Sequence, residues 1–169
     1  MQSRKFFSSF LGLVLFFSSG CGATVTTYVK PEAPWAAIKR IAILPFNLPT
    51  ENPVQRELST QVFSQELRNV TSAEVVEVPL NDPTLQSGLW NVKQVAKQFQ
   101  ADAVLSGSVD ETHGTVIHVR VQDAATEDLL WSGTYVLGTR AEFFSVRTQQ
   151  QQFQRGFRSL ADQFAAESS

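Results

Sequence analysis

Ile41-Ala42-Ile43-Leu44, four apolar residues that run into Pro45-Phe46, limit the possible folds more than any other stretch. A short continuous apolar run flanked by Lys39-Arg40 and a proline reads as a strand covered on both faces. It is the expected central strand, and it demands helices on either side of its sheet. The following segments supply them. Pro53 suits the first turn of a helix, where its missing N–H would have no partner anyway. Val54, Leu58 and Val62 follow at four-residue intervals, and Phe63 and Leu67 continue the stripe. Glu74-Val75-Val76-Glu77-Val78 before Pro79 reads as a short, charged strand near the sheet edge. Asn81 to Gly88 is rich in turn residues, and Asn91 can cap a helix carrying Val92, Val95, Ala96 and Phe99. Ala103 to Val109 is again a strand, in which Gly107 allows a close approach from a neighbouring element. Strand, helix, strand, helix, strand is the order that makes parallel sheets with right-handed crossovers.

The second half follows another pattern. From Thr115 to Val121, Ile117, Val119 and Val121 alternate with His118 and Arg120. Leu129 to Leu137 is a further strand, and the polar turn Gln122 to Asp128 joins the two as an antiparallel hairpin. Phe153, Phe157, Leu160, Ala161 and Phe164 then mark a closing amphipathic helix. The expected fold class is α/β: one domain over 35–169, with a mixed sheet whose parallel βαβαβ half precedes an antiparallel hairpin and a C-terminal helix.

The amino terminus is of a different kind. Arg4-Lys5, an apolar run from Phe6 to Phe17 and the small residues Ser18-Ser19-Gly20 have the three parts of a secretory signal, and the stop ends in Cys21. The run is too short for a spanning helix, which needs about 20 apolar residues. Ser18-Ser19-Gly20-Cys21 resembles the lipobox of bacterial lipoproteins, although Ser18 stands where that family usually has Leu. The resemblance implies cleavage between Gly20 and Cys21, a diacylglyceryl group on the Cys21 sulfur and an acylated new amino terminus. Residues 1–20 are then a signal peptide and 21–34 a lipidated tether, extended at its prolines. Acyl chains on Cys21 would hold the protein on a membrane without crossing it. Gly22 follows the cysteine; in enterobacterial lipoproteins Asp there favours the inner membrane, so the periplasmic face of the outer membrane is expected. With Arg4 and Lys5 removed, 12 basic residues face 16 acidic ones, a formal charge of −4. Such a domain has no electrostatic footprint for nucleic acid. Cys21 is the only cysteine, which excludes intrachain disulfides and cysteine-rich metal sites.

Lys39 to Phe46 (KRIAILPF), Gln100 to Val109 (QADAVLSGSV) and Val119 to Ser132 (VRVQDAATEDLLWS) resemble three landmarks, in the same order, of the envelope lipoproteins of the CsgG/LpoB type. These are the curli-export lipoprotein and the activator of penicillin-binding proteins; the amino-terminal domain of TolB is related. Glu127 stands where that family often has glycine, so an altered hairpin turn is expected. The resemblance implies an α/β domain used for protein contacts in the periplasm. The long membrane-inserting hairpins of the curli exporter have no counterpart in 149 residues, and pore formation is not expected.

Catalytic patterns are thin. His113 and His118, five apart, suit neither one helical turn nor one strand face, and Asp110-Glu111 beside His113 reads as a solvated turn, so no metal is expected. Ser106 and Ser108 lack the glycine of a nucleophile elbow, and no phosphate loop exists. Asp123 and Asp128 are expected to satisfy turn backbone. The chain is thus expected to be no enzyme and to need no cofactor. Trp131 belongs to the core, whereas Trp35, Trp90, Phe143 and Phe144 are the candidate partner contacts. The expected function is a lipid-anchored, non-catalytic protein-binding or assembly factor of the cell envelope. An accessory lipoprotein of a lipid or lipopolysaccharide transport system is the alternative, and it would need an apolar groove. A pairable edge at Glu74–Val78 leaves room for a homo-oligomer.

Overall fold

The structure is a computed structural model that describes residues 23–49, 52–87, 91–110, 115–137 and 146–168. The strands are β1 (Ala23–Val29), β2 (Arg40–Ile43), β3 (Glu74–Glu77), β4 (Ala103–Asp110), β5 (Thr115–Asp123) and β6 (Leu129–Leu137). The helices are α1 (Pro53–Val70), α2 (Pro83–Gln86), α3 (Val92–Phe99) and α4 (Val146–Glu167), with a short 3-10 turn at Trp35–Ala37. All six strands form one mixed sheet in the order β1-β6-β5-β4-β2-β3. β2 pairs in parallel with β3 and β4, and β4, β5, β6 and β1 pair antiparallel. The α/β class, the parallel half, the hairpin and the closing helix therefore stand as expected.

Three expectations do not. β2 is not central: it lies next to the edge strand β3, while β5 and β4 hold the middle. Its apolar run is buried because helices cover both of its faces. Ile41 and Ile43 point into the larger core, which includes Phe63 and Leu67 of α1 and Phe157, Leu160 and Phe164 of α4. Ala42 and Leu44 point into a smaller one with Val92, Val95 and Ala96 of α3.

The apolar stripe on α1 is also displaced. Val54 is 69% and Leu58 47% exposed, and the buried residues are Thr60, Phe63, Ser64 and Leu67. Counted back from Leu67 by helical steps, the inward face passes through Thr60 and Arg56, which hydropathy does not recognise as inward-facing. Thr60 is there for its hydroxyl, which accepts from Phe46 N at 2.9 Å and donates to Arg56 O at 2.8 Å. This satisfies backbone beyond the end of β2.

Lastly, the stretch read as a tether is ordered into the sheet. Ala23–Val29 forms the edge strand β1, in register from Ala23 opposite Leu137 to Val29 opposite Trp131. Only one of its faces meets the core: Val25, Thr27 and Val29 are half-buried, whereas Thr24, Thr26 and Tyr28 are exposed. Such half-apolar alternation, made largely with threonine, is weak as a sequence signal, and the prolines after it outweigh it.

The helix starts expected from Pro53 and Asn91 stand, and side-chain caps fix both. Asn52 Oδ1 accepts from Val54 N at 3.0 Å, with Pro53 opening α1. Asn91 and Gln94 form a reciprocal capping box on α3, at 2.9 and 3.2 Å. In the core, Phe46, Phe63 and Phe157 stack at centroid distances of 5.2–5.5 Å. The Phe46 ring lies on Gly107: a Cβ there would sit 2.3 Å from Phe46 Cε1. The close approach expected at Gly107 is therefore that of an aromatic ring. Gly107→Ala should lower unfolding stability by about 1–3 kcal/mol through overpacking, read as a lower urea midpoint at unchanged slope.

Candidate functional site

Two adjoining surfaces stand out, the amino-terminal edge of the sheet and the uncovered face beside it. β1 begins two residues after Cys21, and it is held along its length. Thr27 Oγ1 donates to Glu167 Oε1 and Trp131 Nε1 to Glu167 Oε2, both at 2.7 Å. One carboxylate thus joins the edge strand, β6 and the last turn of α4. Beyond β1, Lys30 N donates to Leu130 O at 2.8 Å and Lys30 Nζ pairs with Asp128 at 2.6 Å. The hydrogen bond and charge of Lys30 hold the Asp128 carboxyl below the usual carboxylate range, and Asp128 raises Lys30 in turn. Both groups are solvent-facing, so the pair mainly sets geometry.

The β5–β6 turn that carries Asp128 is built as its aspartates suggest. Asp123 Oδ1 accepts from Ala125 N and Thr126 N at 2.8 Å, and Glu127 N closes the turn on Asp123 O at 2.9 Å. Glu127 itself has φ +66°. The turn therefore keeps the left-handed position that glycine would fill, and glutamate occupies it under strain, contrary to the altered turn expected from this residue. Glu127→Gly should raise unfolding stability by about 0.5–1 kcal/mol, the relief of the left-handed backbone less the greater freedom of unfolded glycine.

α3 packs against β2 and β4, and the same face of β5, β6 and β1 carries no described helix. That face shows Thr24, Thr26 and Tyr28 of β1, His118 and Arg120 of β5, and Ser132, Thr134 and Val136 of β6. Tyr28 is 48% and Val136 39% exposed, while His118 Nδ1 lies 3.0 Å from Thr134 Oγ1. The surface is hydroxyl-rich and only sparsely charged, which suits contact more than chemistry.

Of the candidate residues, Trp131 is fully buried, as expected. Trp35 is half-buried with its ring edge-on to Phe164 at 5.5 Å, so part of its surface belongs to the rim of the core. Gly20, Cys21, Trp90, Phe143 and Phe144 lie outside the described residues, as do Glu111 and His113. Among the described residues no group of His, Cys, Asp and Glu could hold a metal ion, and no helix is long and apolar enough to cross a membrane. Sequence reading misses Glu167. An acid in the last turn of a helix opposes the macrodipole, and that conflict is the available sign that it has partners elsewhere.

The three motifs resembling envelope lipoproteins map onto β2, β4 and the β5–β6 hairpin, which are contiguous in the sheet. No family model matches the sequence, and no curated protein is similar to it. Among solved structures, the dodecamer of a PelC point variant from Paraburkholderia phytofirmans is similar at 16% identity and a TM-score of 0.60, over 87% of this chain and 99% of that one. A second PelC dodecamer crystal from that organism gives 17% and 0.58, over 83% and 96%. Lipoprotein GNA1162 from Neisseria meningitidis follows at 16% and 0.48, over 75% and 98%. TolB from Acinetobacter baumannii gives 13% and 0.46, over 85% of this chain and 31% of that one. The chain thus has the fold seen in PelC.

Proposed function

We propose that this chain is a bacterial envelope lipoprotein, acylated on Cys21, that acts without chemistry of its own through protein contacts, self-association among them. The observation that carries the proposal is the strand beginning at Ala23. Two residues span at most about 7 Å, so acyl chains on Cys21 would hold the sheet edge directly against the bilayer. Instead of a tethered head free to swing, the membrane receives a domain of fixed orientation. Orientation of this kind matters for a factor that must meet its partners in register.

Support for self-association comes from the fold shared with PelC, which is a dodecamer in its crystals, and from the uncovered hydroxyl-rich face beside β1. The three motifs on β2, β4 and β5–β6 support grouping the chain with the CsgG/LpoB and TolB type, and on this reading it works on the periplasmic face of the outer membrane. Envelope crosslinking followed by size measurement of the native-membrane protein tests the reading. It predicts a closed oligomer or a stable envelope-protein complex that is weakened by charge introduced on the open face, such as Thr134→Glu. A species that stays monomeric and uncrosslinked at its native abundance would overturn it.

A further inference from the structure

A second feature lies at the opposite end of the sheet and does not depend on acylation. After β2 the chain crosses to one face through α1, and after β3 it returns across the other through α2 and α3 to β4, so the strand order reverses between β2 and β4. In open α/β sheets a crevice at the carboxyl ends of the strands at such a reversal is where ligands bind. Here a crevice of about 420 Å³ opens at that point, lined by Leu44, Pro45 and Asn47 after β2, Ser106 of β4, Arg56 of α1 and Leu85 of α2. The volume falls in the range of small-molecule sites.

Its polar groups are fixed and only partly used. Arg56 Nε donates to Phe46 O at 3.1 Å, which orients the guanidinium, and its Nη groups have no other acceptor among the described residues. Asn47 is pinned by its backbone, donating from N to Gly107 O at 2.9 Å and accepting from Val109 N at 2.8 Å. Among the described residues of the lining, Arg56 is the only charged one. A planar cation with spare donors selects carboxylate or phosphate oxygens, and Pro45 and Leu85, both half-buried, offer an apolar wall beside it.

We infer that this crevice binds a small amphiphilic anion, with its carboxylate or phosphate on Arg56 and Asn47 and its apolar part against Pro45 and Leu85. The test is an amide NMR titration of the chain as isolated from the envelope, in nanodiscs if it carries acyl chains and in buffer if it does not. The probes are butyrate, butyl phosphate and neutral butanol. Saturable shifts at Asn47 and Gly107 with either anion and not with butanol are expected, and Arg56→Gln should weaken them at least about tenfold. A response to only one anion identifies the head group. Should Arg56→Gln fail to fold, Asn47→Ala, an exposed side chain, must weaken binding instead. Equal response to butanol, no response to either anion, or binding unchanged in a folded Arg56→Gln variant would overturn the assignment.

Discussion

Trp131→Ala should remove about 3–5 kcal/mol of unfolding stability, a large share of the roughly 5–15 kcal/mol that holds a domain of this size together. Trp131 is fully buried on β6, opposite Val29 of β1 and Val121 of β5, with its ring edge-on to Phe164 at 5.5 Å. Truncation leaves a cavity under the helix and takes away the donor that reaches Glu167 at 2.7 Å. That carboxylate would keep only Thr27 from this pair of donors. Because Thr27 lies on β1, the damage extends to the edge strand. Urea unfolding should show a lowered midpoint, and hydrogen exchange should quicken first along Ala23–Val29. Trp131→Phe, which fills most of the cavity and lacks the indole N–H, should show the exchange effect on β1 with a smaller loss of stability. An unchanged midpoint in Trp131→Ala would contradict this packing.

Cys21→Ser is expected to have the largest effect on behaviour in the cell. Each buried methylene contributes about 0.8 kcal/mol to membrane binding, and two or three chains anchor stably where one does not. With no thiol to modify, the chain should lose all acyl mass and retain residues 1–20, because lipidation precedes the cut after Gly20 on this reading. Expressed from Gly22 behind a conventional secretory leader, the protein should move from the membrane fraction to the soluble one. Persistence of the leaderless Cys21-free chain on membranes would show that something other than the acyl group holds it.

Much of the architecture was legible because its signals were local. Pro53 at the start of α1, the cap Asn91, the alternation in Thr115–Val121 and the period from Phe153 to Phe164 each determine an element within a few residues. What escaped was set by distant partners. β1 is a strand only because β6 offers a free edge and Glu167 reaches Thr27, 140 positions away in sequence. The inward face of α1 turns on the Thr60 hydroxyl meeting Phe46 N, and hydropathy points instead to Val54 and Leu58. The lateral order of strands is likewise non-local, and β2 reads as central from burial alone although one neighbour is the edge strand β3. For the candidate site, the proposal for Cys21 rests on its neighbours in sequence alone. The crevice beside Arg56 was not legible there, since it joins β2, α1, α2 and β4.

The intact mass of the protein isolated from its native membranes bears most directly on the account. A chain that begins at Cys21 and carries the added mass of two or three acyl chains is the predicted result. A chain that begins at Met1, or one cut before Cys21 with no acyl mass, would contradict it.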